Sequence, residues 1–145
     1  MTPLDCTNLS FMALTVWREA RGQSPECIAG VAHSILNRVN RPSWWGNSIM
    51  RVIKRKWQYS SMTDPNDKQL TLWPDEDEES WNKCLTITNM VIKGMIPNPV
   101  PGADSYFDIS IKTPYWATDE IFVKQIGRVK FYNVDKDIEA EVIQG

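Results

Sequence analysis

Residues 13–22 read Ala13-Leu14-Thr15-Val16-Trp17-Arg18-Glu19-Ala20-Arg21-Gly22. Working back from this stretch, Leu9, Met12, Ala13, Val16, Trp17 and Ala20 recur at helical spacing, which predicts an amphipathic helix ended by Gly22 as its C′ residue. Asn8 and Ser10 are both good N-cap types, so the helix is expected to start near one of them. Glu19 then sits within one turn of the helix C-terminus, where the dipole disfavours a negative charge.

Outward from this helix the punctuation is clear. Ser24-Pro25 opens a second helix, with Ser as cap and Pro at the first position. Ile28, Val31, Ala32, Ile35 and Val39 form its apolar stripe, and it stops before Pro42. A short helix over about 48–55 follows the Trp44-Trp45-Gly46-Asn47 turn. Residues 57–74 read as irregular, with Asp64-Pro65-Asn66-Asp67 a turn. Asp75 to Glu79 place negative charge in the first turn of a longer helix, whose stripe is Trp81, Cys84, Leu85, Thr88, Val91 and Ile92 and which Gly94 closes. Pro97 to Gly102 form a stiff extended connector. Ser105–Ile111 and Arg128–Val134 have β-type composition. The expected fold class is α+β, mainly helical, with a small β element, and 1–145 as one domain.

With 42% hydrophobic and 23% charged residues the composition is that of a globular protein, and the seven tryptophans are its one departure. Trp offers a flat apolar face and one donor, which suits a core first and a carbohydrate groove second. A net charge of −2 argues against general attraction to nucleic acid. One basic run, Arg51, Lys54, Arg55 and Lys56, reads as a solvated helix face, or as a rim that draws in an anionic polymer. Three widely spaced cysteines and the single His33 do not make a zinc set, so neither metal nor cofactor is expected. Cys27 and Cys84 fall on apolar helix faces and His33 on a core side, as structural residues. Residues 1–10 lack the features of a signal segment, and no stretch approaches the ~20 apolar residues of a membrane span. No stable membrane insertion is expected.

Glu19 is the candidate for chemistry. Val16, Ala20 and Trp17 are placed to desolvate it and push its pKa up, opposed by Arg18 and Arg21 if they turn toward it. A carboxyl that keeps its proton near neutral pH is what a glycosidase general acid requires, whereas a glutamate on an amphipathic helix is ordinarily just solvated.

The stretch 13–22 resembles the catalytic helix of the SleB-like cell-wall hydrolases, which include spore-cortex-lytic enzymes and phage endolysins. Residues Ile28 to Val39, with Leu36-Asn37-Arg38, are similar to that family's next helix, and Trp57-Gln58-Tyr59-Ser60 to its Gln-Phe-Ser segment. Pro99 through Tyr106, Pro114-Tyr115-Trp116, Ile126-Gly127-Arg128 and Phe131-Tyr132 follow in order. The resemblance covers roughly 9–60 and 97–133. It departs where the family commonly has Thr-His-Tyr-His and this chain has Asp104-Ser105-Tyr106-Phe107, and where Lys130 replaces a histidine.

The resemblance implies a lysozyme-like fold in which Glu19 protonates the leaving oxygen of the MurNAc–GlcNAc β-1,4 bond in peptidoglycan glycan strands. In lytic transglycosylation the resulting carboxylate takes the proton of the sugar's own 6-hydroxyl, which closes a 1,6-anhydro ring. A hydrolytic muramidase needs a second carboxylate, for which Asp104 and Asp108 are the candidates. The resemblance also places Gln58, Ser60 and Tyr106 in the groove, with Tyr132 beside them, against the plainer readings of a loop cap for Ser60 and core packing for the tyrosines, and Trp116 or Trp57 offers a face on which a sugar can stack. A monomeric phage endolysin, made in the host cytoplasm and released to the wall by a holin, is the expected setting. The rivals are a non-catalytic glycan-binding virion module and a nucleic-acid binder using the basic run.

Overall fold

A computed structural model describes residues 1–41, 45–55 and 58–135. Helix α1 spans Pro3–Ala20, α2 Pro25–Val39, α3 Ile49–Lys54, α4 Ser60–Thr63 and α5 Glu79–Ile92. Strands β1 (Ser105–Asp108), β2 (Phe122–Ile126) and β3 (Val129–Tyr132) form an antiparallel sheet in the order β1-β3-β2. The expected mainly helical α+β class holds.

Helix α1 starts earlier than Asn8 or Ser10. Thr2 accepts a hydrogen bond from the Asp5 N–H and the Asp5 carboxylate accepts one from the Thr2 N–H, so a complete capping box with Pro3 behind it takes precedence. At the other end Arg21 is the C-cap. Ser24 caps α2 by accepting from the Cys27 N–H, and Ser48 caps α3 through the Arg51 N–H. Helix α5 begins at Glu79, so the acidic run from Asp75 mostly precedes its first turn. Gly94, at φ +72°, ends that helix.

Several elements were not expected. Segment 57–74 contains α4 and a 3-10 turn at Lys68–Thr71, and β2 lies between the two expected strands. The residues of β2 are mostly exposed, which is why the stretch lacks a clean apolar alternation.

Helix α1 is the central element. Residues 12 to 18 are all buried, and the helix packs on α5, α2 and α3. Met12, Val16, Ile28, Ile35, Val52, Ile53 and Phe131 are wholly buried in one continuous core. Cys27 and Cys84 are buried in it as expected, and burial pushes both thiols up to about 11. The sheet reaches α2 at Gly30, where an added Cβ would lie 3.0 Å from the Phe131 ring. Only a glycine lets the helix come this close. His33 is buried on α2 with Nε2 3.0 Å from the Ile96 carbonyl, the structural placement its helix face indicated.

Asp104 closes the sheet end of the core. It is 1% exposed, and its carboxylate accepts hydrogen bonds from the Val134 and Asp135 N–H groups and the Ser105 hydroxyl, with Arg41 at 3.6 Å. These donors make it a structural clamp. Replacing Asp104 with Ala strands them without an acceptor, and we expect a loss of about 3 kcal/mol in urea unfolding at neutral pH.

Candidate active site

The C-terminal ends of α1 and α2, the start of α4 and strand β1 converge on a pocket of about 470 Å³. It is lined by Glu19, Arg38, Trp45, Gln58, Tyr59, Ser105, Tyr106, Tyr115, Trp116 and Val134. Glu19 is the one carboxyl among these described residues. A larger groove of about 740 Å³, between Phe11, Leu14, Trp73 and Trp81, is mostly apolar and does not hold Glu19. Chemistry rather than size therefore selects the smaller pocket.

The Tyr106 hydroxyl donates a 2.7 Å hydrogen bond to Glu19 Oε1 across 87 positions of sequence. Burial raises the Glu19 pKa and outweighs everything else acting on it. The Tyr106 bond and the nearby hydroxyl of Ser61 favour the ionised form, as does the Arg38 charge more weakly, while Asp67 pushes the pKa further up. Tyr106 itself is raised well above the usual phenol value by burial and then by the Glu19 charge, so it remains a donor.

Arg18 and Arg21 do not turn toward Glu19. The Arg18 guanidinium donates to the Leu72 and Ser61 carbonyl oxygens and lies 4.9 Å from the Trp73 ring. Arg21 donates to the Trp17 carbonyl and to Gln69 Oε1, over the Trp17 ring. With both cations engaged elsewhere, desolvation of Glu19 prevails.

The opposite wall is braced by Arg38, the arginine of the Leu36-Asn37-Arg38 stretch. Its Nε donates to the Asp104 carbonyl oxygen at 2.6 Å and its Nη1 to Gln58 Oε1 at 3.2 Å. The guanidinium lies 4.0 Å from the Trp45 ring and 4.9 Å from the Tyr59 ring, and Trp45 is held in turn by Asp135. Gln58 thus enters the pocket with its carbonyl taken and its NH₂ available as donor.

Several expected positions lie elsewhere. Ser60 is exposed and donates to Asp67 Oδ2, and its neighbour Ser61 is the hydroxyl beside Glu19. Tyr132 is 3% exposed, stacked on Phe107 and flanked edge-on by Trp116 and Phe122, so it packs the sheet instead of lining the pocket. Neither proposed second carboxylate lines the pocket: Asp104 is the clamp described above, and Asp108 pairs with Arg128 and caps the Ser110 N–H. Asp67, whose charge acts on Glu19, has its oxygens occupied by the Ser60 hydroxyl and the Gln69 N–H. Trp116 lines the pocket as expected, and Tyr115 joins it at 96% exposure. Trp57 and Lys56 lie outside the described residues, and the rest of the basic run, Arg51, Lys54 and Arg55, is exposed.

Two outcomes follow from these shifts. A buried carboxyl with a raised pKa destabilises the fold, an effect absent below its unfolded pKa, growing as pH rises from that value to the folded one and constant above it. Glu19→Gln should therefore raise Tm at neutral pH, and the gain should shrink on acidification in thermal melts at several pH values. Tyr106→Phe removes a donor to the carboxylate, so the Glu19 pKa should rise further and the alkaline limb of any Glu19-dependent activity should move to higher pH.

A family model described as cell wall hydrolase matches residues 22–132, most of the chain, beginning three residues after Glu19. The catalytic domain of the germination-specific lytic transglycosylase SleB from Bacillus anthracis is 27% identical, with a TM-score of 0.68 over 86% of this chain and 93% of that one. The catalytic domain of the Bacillus cereus SleB protein has the same identity and TM-score, covering 86% of this chain and 88% of that one. No curated protein matches. The lysozyme-like architecture expected of the fold is shared with these domains, and the chain belongs to the SleB-like cell wall hydrolase family as an enzyme of that kind.

Proposed function

We propose that this cell wall hydrolase cuts peptidoglycan glycan strands at the MurNAc–GlcNAc β-1,4 bond as a lytic transglycosylase, with Glu19 as its single acid/base. The observation that carries this reading is a carboxyl of raised pKa, the one carboxyl among the described residues that line the pocket, hydrogen-bonded to a phenol that stays protonated. The protonated Glu19 gives its proton to the glycosidic oxygen as the C1–O bond breaks. The carboxylate so formed, supported by Tyr106, takes the proton of the 6-hydroxyl as that oxygen bonds to C1. Glu19 is thereby returned to its acid form, and the product carries a 1,6-anhydro end.

A hydrolytic muramidase would need a second carboxylate to act on water or on C1. Asp104 and Asp108 do not line the pocket and are committed to other partners, and both oxygens of Asp67 are engaged. The single-glutamate route therefore has the better support, and the lytic transglycosylase activity named for the Bacillus anthracis SleB domain favours it as well. Gln58, Tyr106 and Trp116 contact the sugars in this reading. We place the enzyme in host lysis as a monomeric phage endolysin, made in the host cytoplasm and reaching the wall by holin-dependent release, because the resembling family includes such enzymes.

Mass spectrometry of digested peptidoglycan tests the chemistry. Fragments lighter by one water than their reducing-end counterparts are expected, and Glu19→Gln should lower their yield by at least about 10³-fold, the scale of losing a general acid/base. Reducing ends alone would favour the hydrolytic route. Undiminished clearing of outer-membrane-permeabilised cells by Glu19→Gln would leave Glu19 without a catalytic role.

A further inference from the structure

The basic run on α3 has no part in the chemistry at Glu19. Arg51, Lys54 and Arg55 are all exposed, whereas Val52 and Ile53 between them are wholly buried. The apolar pair holds α3 against α1 and α2. Arg51 and Lys54, three apart, share the solvent side of the helix, and Arg55 follows as its C-cap.

The negative end of the helix dipole favours a cation in this turn, but the bias extends well beyond the helix. From Cys27 to Thr63 the chain carries Arg38, Arg41, Arg51, Lys54, Arg55 and Lys56 and not one aspartate or glutamate. In a chain of net charge −2 that is a marked separation, and the acids of the following segment begin only at Asp64, beyond α4. The same acid-free segment supplies Arg38, Trp45, Gln58 and Tyr59 to the wall of the Glu19 pocket. Arg38 is buried and tethered, and Arg41 faces Asp104, so among the described residues the exposed charge of this segment is on α3 and its cap. The Gln58 N–H donates to the Arg55 carbonyl oxygen at 3.2 Å, which sets the patch one turn of chain from a pocket residue. Charges attract over about 8 Å at physiological ionic strength and about 30 Å at low salt, so the patch acts on a ligand at the pocket without any side chain reaching into it.

Neutral sugars offer such a patch nothing to attract. Each MurNAc, however, bears a peptide stem with free carboxylates, so a strand seated at Glu19 brings negative charge beside the pocket. We propose that Arg51, Lys54 and Arg55 form a capture surface for the peptide-stem carboxylates of peptidoglycan, acting on binding and not on bond cleavage. The proposal rests on the glycan-cleaving reading of the site. Exposed ion pairs are individually weak, so capture comes from the group of charges and is screened by salt.

The test compares the parent protein with Arg51→Gln/Lys54→Gln. The substrates are peptidoglycan freed of phosphate polymers and the same material with its carboxyls capped as neutral amides. Both substituted side chains are exposed, so Tm should hold. At about 0.01 M salt the variant's kcat/KM on uncapped peptidoglycan should fall about five-fold through KM, with kcat kept. The gap should close toward about 1 M salt, where charges reach only about 3 Å, and vanish on the capped material. Arg51→Lys/Lys54→Arg, which keeps both charges, should behave as the parent. Equal kcat/KM for parent and Gln variant at low salt overturns the proposal and leaves the function reading intact. So does an equal loss on capped peptidoglycan or at high salt, the mark of a structural effect. A gap that appears only when phosphate polymers remain on the wall assigns the patch to phosphates instead, and binding of duplex DNA at physiological salt, lost in the variant, assigns it to nucleic acid; either overturns the proposal. Absence of any cleavage by the parent fails the function reading. Co-sedimentation with the two materials then reads the patch separately, and equal retention of parent and variant on uncapped peptidoglycan overturns it.

Discussion

The hydrogen bond from Tyr106 to Glu19 joins the last turn of the central helix to the first strand of the sheet, and the site depends on the burial that surrounds it. Neither element creates the pocket alone. Helix α1 is immobilised by α2, α3 and α5, which fixes where Glu19 emerges. The sheet is seated on α2 through the close approach of Phe131 to Gly30, which fixes where Tyr106 stands. Residues of the helical core and of the sheet thus meet around one carboxyl.

The electrostatic balance at Glu19 is arranged by what is kept away as much as by what is brought near. Its two sequence neighbours of opposite charge, Arg18 and Arg21, spend their donors on backbone carbonyls and on Gln69. Arg38 stays within electrostatic reach, but it is tethered to Asp104 and Gln58 and only partly offsets desolvation. Tyr106 adds a directed bond that supports the carboxylate when it forms. A peptidoglycan glycosidase needs this combination, a proton held at rest and a stable anion once it is given up.

Much of this was legible in the sequence because it is local. Apolar periodicity located the helices, Ser24-Pro25 and Gly94 marked their ends, and the position of Glu19 beside Val16 and Ala20 foretold its desolvation. The same kind of signal was present and passed over at Thr2 and Asp5, whose reciprocal bonds start α1 well before Ser10. What the sequence did not reveal is long-range. Adjacent serines cannot be told apart without the turn that points Ser61 inward and leaves Ser60 on Asp67. Asp104 looked like a spare carboxylate until the N–H groups some 30 positions later came to it, and Tyr132 looked like a groove residue until the aromatic cluster closed around it. Arg38 stood out only through its Leu36-Asn37-Arg38 stretch, which says nothing of its partners, and Asp67 only as part of a turn.

The most direct measurement of the central claim is an NMR titration of the protein with ¹³C-labelled glutamate side-chain carboxyls, assigned and followed through the acid and neutral range. The account predicts that Glu19 titrates at a clearly higher pH than the exposed glutamates on the same molecule. A Glu19 resonance that moves together with them would contradict it.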